Sequence, residues 1–196
     1  DTITFLASLC RARMTAEEQE SHTTVSQPTR SRRYLVLVGL VAWVATLGLD
    51  LFLHAGVFAG VFFEPSPFLL APEDLFLRIP LGYLAFLLMT GLLVWLMTAL
   101  LISGWLAGAR FGLLVGVVVH GSGALALASA STARPSFLVV WFLGQSIQAG
   151  VAGAVIGLGL ATESLRRLAA GVLVLDVVLV GTTVFMQSFG VVPTPA

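Results

Sequence analysis

Asp50 and His54 stand four residues apart in a stretch, 34–63, that is otherwise almost wholly apolar. On a helix that spacing places an acid and an imidazole on one face, with Thr46 one turn further back. Such a pair can share, hold or pass a proton, and an imidazole can ligate the metal of a ring cofactor. His120, Gln145, Gln148 and Asp176 each lie inside another long apolar segment. A charge in hydrocarbon costs about 2.5–3.5 kcal/mol on insertion scales, so these groups are expected to face protein, water or ligand.

Three uses of this set stay open. In the first, it is an interhelical hydrogen-bond network, each bond contributing about 0.6 kcal/mol in a membrane. In the second, two acids and two histidines line a polar cavity that carries protons or holds a substrate. In the third, a single histidine, His120 or His54, ligates haem or a chlorophyll-type pigment. Ligation by both is disfavoured, because His54 falls about 9 Å outward of its segment's centre while His120 is central to its own.

Other chemistry is excluded more directly. There is no HExxH, GxSxG or GxxxxGK[ST] pattern, and the absence of lysine removes lysine-dependent catalysis. The serines have no base at helical spacing, so no enzymatic activity is expected. Cys10 is the only cysteine, so neither an internal disulfide nor a thiolate metal site can form. Ten basic residues balance ten acidic ones, which leaves no electrostatic case for nucleic acid.

The elements that must position these groups follow from composition. The chain has 196 residues, 58% of them apolar and only 10% charged, with mean hydropathy +1.00. A soluble domain carries about 25% charged residues. The sequence therefore predicts an all-α integral membrane protein, a bundle of five (or, failing the last, four) transmembrane helices with short loops.

Residues 1–33 read as a flexible polar leader on the cytoplasmic side, with a natural start at Met14 and 1–13 as an upstream extension. The first span, 34–63, stops at Glu64-Pro65-Ser66-Pro67, since proline cannot continue a helix. Pro72-Glu73-Asp74 is a helix-start pattern, read as a short interfacial helix bent at Pro80. A single helix from 72 to 107 would be about 54 Å long, well beyond a roughly 30 Å core.

The second span is expected over 80–106, followed by a tight connection at Gly108-Ala109-Arg110. The third covers 111–130, the fourth 137–161 and the fifth 168–187, with 189–196 a short tail. The fifth has the weakest insertion signal because Asp176 is central to it. Counting arginines with the N-terminus inside gives eight on the cytoplasmic side and two outside, which sets the orientation and leaves the C-terminus outside.

Lipid tails are as apolar as leucine, so helices associate through small residues and polar contacts. Gly112 and Gly116 of the third span and Gly150, Gly153 and Gly157 of the fourth mark such faces. They serve packing within the chain or against another membrane protein. The run from Leu49-Asp50-Leu51 to His54-Ala55-Gly56, with Pro80-Leu81-Gly82-Tyr83, resembles small multi-span bacterial membrane proteins. The resemblance implies a bacterial cytoplasmic membrane and no particular activity. The expected role is an accessory or structural subunit that packs against other membrane proteins or a second copy of itself. A compact proton-linked carrier or channel using Asp50, His54, His120 and Asp176 is the alternative, and a haem- or pigment-binding subunit the third.

Overall fold

The computed structural model describes residues 30–64, 66, 68–70, 72–162 and 164–193. The chain divides into two compact units, Asp1–Ser31 and Arg32–Ala196. Of the first, only residues 30 and 31 are described, so most of the expected leader, Met14 included, lies outside the described residues. The second unit is an all-α membrane bundle. Its elements are α1 (Arg32–Phe52), a π turn (Leu53–Val57), a one-turn α2 (Ala59–Phe62), α3 (Pro72–Ala99), α4 (Trp105–Ala130), α5 (Pro135–Ala161) and α6 (Leu165–Ser188). Five helices among them are long and apolar enough to cross a bilayer.

Two boundaries differ from the sequence reading. Residues 72–79, expected as a separate interfacial helix, run straight into the second span through Pro80. That helix stops at Ala99, and Trp105 to Arg110, expected partly as span and partly as loop, form the first turns of α4. The length objection vanishes because the 28 residues of α3 make only about 42 Å. Its apolar stretch begins at Leu77, so the turn before it projects past the hydrocarbon. Pro80 is close to that end, where water and headgroups can serve the carbonyl it leaves without a donor.

The stop after Ala99 is a Schellman turn. Ile102 N–H bonds Met97 O at 2.8 Å and Leu101 N–H bonds Thr98 O at 3.3 Å, with Leu101 left-handed at φ 55°. Nothing but leucine-rich sequence marks this end, and a β-carbon in that region is uncommon. The end of α6 uses the same closure with glycine in the left-handed place: Gly190 at φ 67°, and Val191 N–H on Met186 O at 2.9 Å.

α5 is the hub. Val155 and Ile156 pack with Val38, Ala42 and Ala45 of α1, Leu93 and Met97 of α3, and Val172 of α6. α4 packs chiefly along α5, over a seam of glycines. A β-carbon on Gly108 would overlap Gly153 O, one on Gly112 would overlap Ala149 O, and one on Gly157 would overlap Gly104 O. Gly116 rests on Ala149 and Ser146 in the same seam, while Gly150 lies beside it in ordinary contact with Leu113. At its end Gly104 N–H donates directly to Gly157 O across the helix pair at 2.9 Å. Gly104 has φ 90°, a backbone that side chains resist, which is how the loop reaches that close. These glycines serve contacts inside the chain.

Tyr34 fastens α1 to the same C-terminal end of α5. Its hydroxyl lies 2.9 Å from both Gly159 O and Thr162 O, carbonyls that the end of a helix leaves without donors. Trp43 of α1 donates its indole N–H to Tyr83 O of α3 at 2.9 Å.

Candidate functional site

The apolar stretch that carries Asp50 and His54 is not one regular helix. At Leu53–Val57 the backbone widens into a π turn, with Phe58 N–H reaching back five residues to Leu53 O at 2.8 Å. Such turns leave carbonyls to be satisfied by side chains and recur at functional sites. Two side chains do this here. His54 Nδ1 lies 3.0 Å from Asp50 O, and Gln187 of α6 donates its amide to Ala55 O at 3.0 Å.

His54 Nδ1 also lies 2.8 Å from Asp50 Oδ1. Two oxygens on one nitrogen require that Nδ1 carries the proton, so Nε2 of the neutral ring is the acceptor. The same oxygen also accepts from Gln148 of α5, whose amide donates to Oδ1 at 2.8 Å. Both members of the pair keep roughly a fifth of their side-chain surface exposed. The imidazole is covered by Phe62, edge-on at 4.2 Å between ring centres, and Phe62 stacks edgewise on Phe137. Beyond these rings Glu64 and Arg134 form an ion pair between two loops.

The six polar residues of the expected cluster separate into three places. Asp50, His54 and Gln148 meet directly. His120 and Gln145 join Gln148 along the floor of a groove of about 530 Å³, with Thr46, Thr90 and Trp141. Asp176 stands apart: its carboxyl rests on Gly48, and its Oδ1 is buried without a hydrogen bond among the described residues. Gly48 and Asp50 lie two residues apart, so they look out from nearly opposite sides of α1.

The groove opens between α3 and α4. Its rim includes Leu88 and Leu92, both exposed, so it faces the acyl chains. Its floor is polar and largely unpaired. Gln145 is 8% exposed and Gln148 2% exposed, and Gln148 Oε1 has no hydrogen bond among the described residues. His120 touches Trp141 edge-on at 5.8 Å.

Comparison with protein-family models, with curated proteins and with solved structures returns no match. The chemistry therefore rests on the residues alone. Among the described residues no three His, Cys, Asp or Glu side chains converge as a metal site. His120 lines the groove and His54 does not, so the two histidines do not face one ring from both sides.

Gln187 and Thr183 belong to this neighbourhood although the sequence reading passed them over. Thr183 packs against Gly56 and Gln187 serves Ala55 O, both at the π turn. Gln187 reads as the polar end of the last span, and only the widened turn opposite gives it work.

Proposed function

We propose that this protein is a small integral-membrane carrier of protons, with Asp50 as the binding group and His54 as its relay. One observation supports the reading: an acid and an imidazole beside a π turn of the first span meet a buried amide of the fourth. A proton arriving at His54 Nε2 releases the one on Nδ1 to the Asp50 carboxylate, 2.8 Å away. Gln148 stabilises the ionised carboxylate by its N–H, so losing and regaining the proton changes the contact between α1 and α5. The rings of Phe62 and Phe137 cover the pair on one side, which favours a gated carrier over an open water-filled channel. The arginine asymmetry supports the N-terminal side as cytoplasmic, in a bacterial inner membrane.

The test is proton flux into liposomes holding the purified chain. Asp50→Asn keeps the size and an oxygen for Gln148 but removes the titrating group, and flux is expected to fall at least tenfold. Equal flux from both proteins defeats the reading.

The accessory-subunit reading has its own support. α3 and α6 are among the least enclosed of the spans, and Gly82, Gly91, Gly171 and Gly181 on them have nothing within 4 Å. Small residues on an open helix face allow another helix to approach closely. Cysteine placed at Gly91 or Gly171 and crosslinked in native membrane is expected to give one discrete heteromeric or dimeric band. Monomer alone at both positions rejects a stable partner on these faces.

A further inference from the structure

The groove between α3 and α4 is a binding site in its own right, and it shares only Gln148 with the proton pair behind it. We propose that it takes an isoprenoid-type quinone from the bilayer, its ring on the floor and its tail among the acyl chains. The groove of about 530 Å³ lies within the range of ligand pockets, and it is walled by apolar side chains with few polar groups at the bottom.

Depth selects the ligand. Gln148 has thirteen residues of α5 on either side of it, about 20 Å along the axis from each end. Phospholipids, diacylglycerols and fatty acids keep their heads at the interface, because a hydroxyl or charge drawn to the middle loses its water. A quinone head is uncharged, its oxygens only accept hydrogen bonds, and it enters the bilayer centre at lower cost. No arginine or acid lines the groove, so a phosphate head has no counter-charge there.

The floor offers what such a head lacks in hydrocarbon. Gln145 has two amide N–H groups and no hydrogen-bond partner among the described residues, and His120 has one ring N–H likewise unused. These donors suit the two ring oxygens. Gln148 Oε1, buried and unpaired, suits the hydroxyl of the reduced form. Phe86 and Trp141 give the ring flat neighbours.

Trp141 also provides the readout, since quinones quench tryptophan fluorescence on contact. The full chain in phosphatidylcholine nanodiscs, with Trp43, Trp95 and Trp105 changed to phenylalanine, is titrated with decylubiquinone. Saturable quenching is expected, with the midpoint weakened at least tenfold by Gln145→Leu or His120→Leu. A chain keeping only the lipid-exposed Trp95 should show linear quenching. Circular dichroism melts of the leucine variants identify any that are unfolded, and for those Gln145→Glu, which puts a charge on the floor, replaces them. Identical linear quenching of Trp141 and Trp95 would show partitioning into lipid alone and overturn the proposal. So would full relief of the Trp141 quenching by diolein or cholesterol at the concentrations at which the quinone saturates it. Neither result touches the proton reading, which is measured by flux.

Discussion

Gly153→Val is expected to unfold the bundle. A β-carbon at Gly153 would overlap Gly108 O and stand 3.0 Å from both Gly108 C and Gly112 Cα. All three are backbone atoms, so no rotamer change relieves them, and α4 and α5 must move apart. Overpacking a core costs about 1–3 kcal/mol where side chains can adjust, and this site is expected to exceed the upper end. The glycines along the seam lose their contacts together, as does the Gly104 bond to Gly157 O. Gly91→Ala is the control: nothing lies within 4 Å of its place on α3, so its stability should match the parent or exceed it by up to about 1 kcal/mol, alanine being the better helix former. Unfolding by dodecyl sulfate in mixed micelles compares them. Coincident transitions for Gly153→Val and the parent would refute the seam.

Gly48→Ala is expected to lose about 2 kcal/mol, a value typical of crowding against a side chain. The added carbon would overlap the Asp176 carboxyl and sit 3.0 Å from Asp176 Cβ. Alanine is the better helix former by about 1 kcal/mol, so a net loss reports the clash rather than the helix. The obstruction here is the end of a side chain, which makes the effect smaller than at Gly153 and reversible. Asp176→Ala in the same chain should recover most of it, giving a coupling of about 1–2 kcal/mol in the double-mutant cycle. Strict additivity would mean that Asp176 does not rest on Gly48.

The positions of the spans were legible because hydrocarbon thickness imposes length and apolarity on each. The breaks at Ser131–Arg134 and around Thr162 were legible for the same reason: polar residues cluster where chain leaves lipid. The end of α3 was not, since Leu100, Leu101 and Ile102 are as apolar as the helix before them and the turn is made by backbone bonds. Neighbour order was hidden too. In a bilayer the outside is oily, so apolar residues occupy every face and no periodic stripe marks the inside. The small residues of α5 did carry that information, because close backbone approach demands glycine at particular places. Asp50, His54 and Gln148 could be singled out by polarity, and counting residues put Asp50 and Gln148 near one depth with His54 a turn outward. That Asp176 belongs to another side of α1 followed only from the packing of α6.

A π turn uses one residue more than an α turn, and that residue rotates everything beyond it by about 100°. Val57 thus divides the first span into two lengths that are out of step. Asp50 below the offset and Phe62 above it both reach α5, while Gly56 between them meets α6. Removing Ala55, Gly56 or Val57 would bring the lengths back into step and swing the Phe62 ring away from the imidazole. A one-codon loss there would therefore strip the cover from the proton pair while leaving every hydrophobic segment long enough to insert.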